Sequence, residues 1–109
     1  MFATIYRMQV IPGQEEKLAE LGDVWDRERL PEVAGFVSSY IVRSVTKPGE
    51  YLGVAIFDSE ENYKLNATDP EQHQWYLKMR ECLEVDPEWN DGPVIAQTHT
   101  ETTNKPSLV

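Results

Sequence analysis

The chain has 109 residues, 40% of them apolar, which suffices for one domain with one core and leaves nothing for a second. With 19 Asp plus Glu against 10 Lys plus Arg the net charge is −9, which repels phosphate backbones and anionic bilayers and excludes nucleic acid and membrane surfaces as expected partners. No apolar run approaches the ~20 residues of a membrane span, the first residues carry no secretory pattern, and the lone Cys82 forms no intrachain disulfide, so a cytoplasmic protein is expected.

Residues 2–11 alternate loosely and are rich in β-branched and aromatic types, which predicts a strand ended by Pro12-Gly13. Gln14-Glu15-Glu16 then supplies an acidic first turn. Leu18, Leu21 and Trp25 follow at i, i+3 and i+7, predicting a helix over residues 14–29 with one face on a sheet. Residues 36–45 and 51–57 read as two strands of a hairpin around the turn-rich Thr46-Lys47-Pro48-Gly49-Glu50. In the second of these strands Leu52, Val54 and Ile56 fill one face, while Tyr51, Gly53, Ala55 and Phe57 leave the other apolar too. One helical layer covers one face only. The simplest cover for the other is a second copy of the chain, so a homodimer is expected.

Ser59 is a good N-cap with Glu60 and Glu61 behind it, starting a short helix that ends near Ala67. Asp69-Pro70-Glu71-Gln72 restarts the helix, with Asp at the N-cap, Pro at the first helical position and Gln placed for a capping box; this second segment is predicted to run to about residue 83. Asp86-Pro87 and Asn90-Asp91-Gly92-Pro93 read as turns, and residues 94–98 as a last strand. The result is an α+β domain over residues 1–97, of strand-helix-strand-strand-helix-strand order, followed by a polar tail over residues 98–109.

Chemical signatures are sparse. His73 and His99 have no Cys or carboxylate at ligand spacing, no Gly-rich loop opens a helix after a strand, and no G-x-S-x-G elbow is present, so no metal, cofactor or activated nucleophile is expected. The acidic pairs Glu15/Glu16, Glu60/Glu61 and Asp86/Glu88 fall at helix starts and turns, where capping and solvation account for them. At about 100° per residue, Trp75, Met79, Cys82 and Leu83 share the buried stripe of the second helical segment. Cys82 is thus a core residue; Tyr76 and Gln72 border the stripe, and His73 points about 120° away, toward solvent. Tyr6, Tyr40, Tyr63 and Tyr76 bring phenolic hydroxyls to core-facing or pocket-facing elements. A buried hydroxyl needs a partner, either protein or ligand, and plain core and pocket lining stand as equal readings of these residues.

Three motifs then recur in a familiar order. Pro12-Gly13-Gln14-Glu15-Glu16 opens the first helix, Ala34-Gly35-Phe36 opens the second strand, and Phe57-Asp58-Ser59-Glu60 closes the third. Over residues 2–97 the chain resembles the antibiotic biosynthesis monooxygenase family, a branch of the dimeric α+β barrel superfamily. The resemblance implies a ferredoxin-like βαββαβ fold with an antiparallel sheet, paired as a dimeric α+β barrel. The segment Ser59-Glu60-Glu61-Asn62-Tyr63-Lys64-Leu65-Asn66, followed by Asp69-Pro70, is similar to the corresponding helix of the small polyketide monooxygenases, which oxidise anthrone-like or hydroquinone-like rings with dioxygen and no cofactor. That similarity implies Tyr63 as the catalytic polar contact and Phe57, where the subgroup has Trp, as an apolar wall. Tyr6, Tyr40, Asn66 and Tyr76 complete the candidate substrate-binding set. Val42 and Gly53 stand where the subgroup has polar residues. The signature positions of the haem-degrading members hold Tyr6, Asn66 and Tyr76, so haem degradation is not implied. Two functions remain open: a cofactor-independent monooxygenase acting on a small electron-rich aromatic substrate, and a non-catalytic dimeric module that binds a small aromatic ligand.

Overall fold

The structure, a computed structural model, describes residues 1–100. Its elements are strand β1 (Phe2–Gln9), helix α1 (Glu15–Val24), strands β2 (Phe36–Arg43) and β3 (Glu50–Phe57), helices α2 (Glu60–Ala67) and α3 (Pro70–Arg80), and strand β4 (Glu88–Pro93). The four strands form one antiparallel sheet in the order β2-β3-β1-β4, the ferredoxin-like arrangement expected from the sequence. Along β1 the period of two sends Thr4 and Met8 into the interior and leaves Ile5 exposed. Met8 and Val10 join Leu18 and Leu21 of α1, Met79 of α3, and Cys82 and Leu83 in one buried cluster that fastens the helices to one end of the sheet.

Four local features depart from the sequence reading. The helix over residues 14–29 is α-helical only to Val24; a wide π turn, Trp25–Arg29, and a 3-10 turn, Leu30–Glu32, follow. Pro31 has no N–H to continue an α-helical ladder, and its ring crowds the preceding turn. Helix α3 ends at Arg80 rather than near residue 83, because β1 captures the chain: Ile11 N–H donates to the Cys82 carbonyl at 2.8 Å and Glu84 N–H to that of Gln9 at 2.9 Å. Cys82 and Leu83 stay buried although they leave the helix.

The last strand is Glu88–Pro93, not residues 94–98. Asn90-Asp91-Gly92-Pro93 is turn-like in composition, but β4 pairs on one side only, and an edge strand tolerates Gly and a terminal Pro. Residues 98–100 of the expected tail are described and fall outside any regular element, whereas residues 101–109 lie outside the described residues.

Strand β2 carries a bulge. Phe36 pairs with Phe57, yet Ser38 already pairs with Ile56, so the extra residue reverses the facing of everything beyond it. Ser39 and Ile41 therefore turn to the helical side, while Tyr40 and Val42 join Ile5 and Leu52 on the helix-free face of the sheet. There Ile5, Tyr40 and Val42 are 53%, 63% and 58% exposed in the single chain. No helix among the described residues is long and apolar enough to cross a membrane.

Candidate functional site

Between the sheet and the helices lies a cavity of about 600 Å³, predominantly apolar. Its floor is built by Thr4 and Tyr6 of β1 with Ala55 and Phe57 of β3. The register sets this floor, since Tyr6 pairs with Gly53 and Thr4 with Ala55. A Cβ at Gly53 would collide with the Tyr6 ring, so glycine is what lets the phenol lie flat across β3. Aromatic rings bound the space. Phe57 meets Phe36 edge-on at 5.6 Å and Tyr63 at 5.5 Å between centroids, and Tyr6 meets Trp89 of β4 at 4.9 Å.

Tyr63 reaches the cavity because of its helix start. The Ser59 hydroxyl accepts from Asn62 N–H at 3.1 Å, fixing the entry of α2 so that its fourth residue turns back over the sheet. Tyr63 Oη donates to Asp91 Oδ2 at 3.1 Å, and Thr4 Oγ1 donates to Asp91 Oδ1 at 2.6 Å. Thr4 is only 3% exposed. Burial pushes the Tyr63 phenol above its usual value; the Thr4 hydroxyl opposes this, and the charge and hydrogen bond of Asp91 add to it. Tyr63 is thus a neutral phenol at physiological pH. Burial alone raises Tyr6, and burial with the nearby Asp86 charge raises Tyr76, partly offset by Arg80.

Behind the lining residues Asn66 and Gln72, Arg29, 5% exposed, ties the end of the first helical segment to α2 and α3. It donates to Asn66 Oδ1 at 2.8 Å and to Gln72 Oε1 at 3.4 Å, and pairs with Glu71 at 3.2 Å and Asp69 at 3.5 Å. Trp25 Nε1 donates to the same Gln72 oxygen at 2.9 Å.

Of the residues selected from sequence, Tyr6, Phe57, Tyr63, Asn66 and Tyr76 line this one cavity. Tyr40 does not; the β2 bulge turns it to the far face of the sheet. His73 is exposed, as its helical angle predicts, yet it stands at the cavity edge with its ring stacked on Tyr76 at 6.3 Å. Thr4, Gln72, Trp89 and Asp91 also line the cavity and were not selected. The β1 alternation carries the signal for Thr4, whereas reading residues 90–93 as a turn hides Asp91. No group of three or more His, Cys, Asp and Glu side chains suited to a metal occurs among the described residues.

No known protein-family profile matches the chain, and no curated protein matches it in sequence. Solved structures do match in fold. A conserved protein from Methanosarcina mazei superposes with a TM-score of 0.73 at 15% identity, over 84% of this chain and 89% of that one. An antibiotic biosynthesis monooxygenase gives 0.71 at 7% identity, over 88% and 100% of the two chains. The fold is that of the antibiotic biosynthesis monooxygenases. A point mutant of SnoaB, a cofactor-independent oxygenase from Streptomyces nogalater, gives 0.70 at 19% identity, over 92% and 97%. Within this monooxygenase-like fold the cavity lies between sheet and helices, and its polar groups gather at Tyr63–Asp91–Thr4 and at Asn66–Gln72.

Proposed function

We propose that the chain is a cofactor-independent monooxygenase acting on a small, electron-rich phenolic, hydroquinone-type or anthrone-type ring with dioxygen. The observation that carries this reading is the cavity: about 600 Å³ of aromatic-walled space with the Tyr63 hydroxyl in its lining. A space of that size and polarity suits a planar ring system of two or three rings. Similarity of fold to SnoaB, itself a cofactor-independent oxygenase, favours the same class.

Such a substrate carries the reducing electrons itself. For an anthrone, loss of a proton from the ring methylene gives a delocalised anion that reduces dioxygen; one oxygen atom becomes the new ring carbonyl, and the other leaves as water with both methylene hydrogens. The protein's part is to hold the ring, exclude bulk water and stabilise charge on the ring oxygen as the carbanion forms. Tyr63 serves as the polar contact to the ring, its hydroxyl oxygen accepting from a ring hydroxyl while its own proton is held by Asp91, with Phe57 and Tyr6 as ring walls and Tyr76 and Asn66 at the edges. Tyr40, on the other sheet face, belongs to a homodimer contact, in which two apolar sheets pack face to face. The single buried thiol, Cys82, suits a reducing cytoplasm.

The test is oxygen uptake by metal-free protein with simple anthrones and hydroquinones, with products identified by mass. Uptake matched by a quinone product supports the reading. Tight binding of these rings with no uptake would favour a non-catalytic aromatic-binding module.

A further inference from the structure

Resting on the proposed aromatic-ring site, we infer that Arg29 is a positioning residue that turns the side-chain NH2 groups of Asn66 and Gln72 toward the cavity, making a two-donor site for a carbonyl or oxyanion of the ligand.

The argument rests on which atoms can face which. Arg29 Nη2 lies 2.8 Å from Asn66 Oδ1, and Arg29 Nε lies 3.4 Å from Gln72 Oε1. Trp25 Nε1 also points at Gln72 Oε1, from 2.9 Å. Guanidinium and indole groups are donors with no acceptor capacity, so each amide must offer them its oxygen. The reverse orientation would set N–H against N–H beside a buried cation. Each amide has one other end, its NH2 group, and both residues line the cavity.

Arg29 does not compete for the ligand. Its remaining hydrogens are engaged by Glu71 at 3.2 Å, Asp69 at 3.5 Å and Glu32 at 3.8 Å. The start of α3 is arranged to release Gln72 for this role. A capping box would send Gln72 back to the backbone of Asp69, but Asp69 N–H is already taken by the Asn66 carbonyl at 3.1 Å. The Asp69 side chain caps Glu71 N–H at 2.9 Å without help. Gln72 therefore spends its oxygen on Trp25 and Arg29.

The consequence is a polarised site. Two amide donors mark one wall, and the Tyr63–Asp91 pair with its carboxylate marks another. A ring bearing a ketone or a developing phenolate fits the amide wall; the same ring without oxygen does not exploit it. This narrows the substrate class from electron-rich aromatics to aryl ketones and their enol or phenol tautomers.

Matched probes test it: indanone and its carbonyl-free counterpart indane, titrated into the full chain by calorimetry and by side-chain amide NMR. Wild type should bind indanone about tenfold more tightly than indane, and the NH2 signals of Asn66 and Gln72 should shift with indanone alone. Asn66→Asp and Gln72→Glu each keep an oxygen for Arg29 and Trp25 and remove the donor, so each should erase most of the preference while thermal stability is retained. If one variant does not fold, the other and the wild-type NH2 shifts still decide. Equal affinity for the two probes, or a preference that survives both substitutions, would overturn the inference and leave the aromatic site standing. Binding of neither probe would overturn both.

Discussion

Tyr63 donates its hydroxyl proton to Asp91 Oδ2 across 3.1 Å, joining a residue one turn into α2 to one on the edge strand β4. The contact spends the Tyr63 proton on a carboxylate and leaves the phenol oxygen's lone pairs for other partners. It also ties the position of Tyr63 to a strand that Thr4 anchors independently at 2.6 Å.

Replacing Asp91 with Asn removes a negative charge that, with burial, holds the Tyr63 phenol neutral. Asp91→Asn should therefore make Tyr63 ionise more readily, visible as phenolate absorption appearing at lower pH than in a Tyr63→Phe-corrected wild type. An unchanged titration would mean that burial alone sets the phenol.

The helix-free sheet face predicts association. Ile5, Tyr40, Val42 and Leu52 stand exposed there in a single chain, and Val54 pairs with both Ile5 and Tyr40 at its centre. Light scattering should report twice the 12.5 kDa chain mass, and Val54→Asp should yield monomer or unfolded protein. A monodisperse wild-type monomer at micromolar concentration would contradict the dimer.

Gly53→Ala tests the cavity floor. The added methyl has no space beneath the Tyr6 ring, so ring and strand must separate, at a cost of about 1–3 kcal/mol. The urea midpoint should fall accordingly, and aromatic ligands should bind less tightly. An unchanged midpoint would show that Tyr6 moves aside freely.

Much of this architecture was legible in the chain. The N-caps Ser59 and Asp69 and the doubly apolar character of β3 follow from local chemistry and the strand period of two, whereas which face of β3 meets the helices is set by its pairing. What escaped depends on pairing between distant segments. The bulge after Phe36 that sends Tyr40 outward has no local marker, and β4 forms from turn-like residues only because β1 offers them a partner. Gln72 illustrates the same limit within the site: its position fits a capping box, but a buried Arg29 and Trp25 claim its oxygen instead.

Alkaline pH should weaken the fold in a defined window. The Tyr6 phenol is raised by burial, so the folded state holds its proton where the unfolded chain has begun to lose it. That contribution is complete below the ordinary phenol value of about 10 and is lost as pH rises through the folded value. Tyr6→Phe should flatten the decline of stability measured by urea unfolding above that pH. An identical slope in the variant would assign the decline to other groups, Tyr63, Tyr76 and Cys82 among them.

The most direct test of the proposed chemistry is the rate of oxygen uptake with an anthrone or hydroquinone substrate, compared between wild type and Tyr63→Phe. The substitution keeps the ring that packs on Phe2 and Phe57 and removes only the hydroxyl. Losing a transition-state hydrogen bond of about 1.4 to 2.7 kcal/mol slows the reaction roughly ten- to a hundredfold, with thermal stability little changed. That result is the one predicted; a Tyr63→Phe protein as fast as wild type would contradict the role given to Tyr63, and a wild type that consumes no oxygen with any such ring would contradict the oxygenase itself.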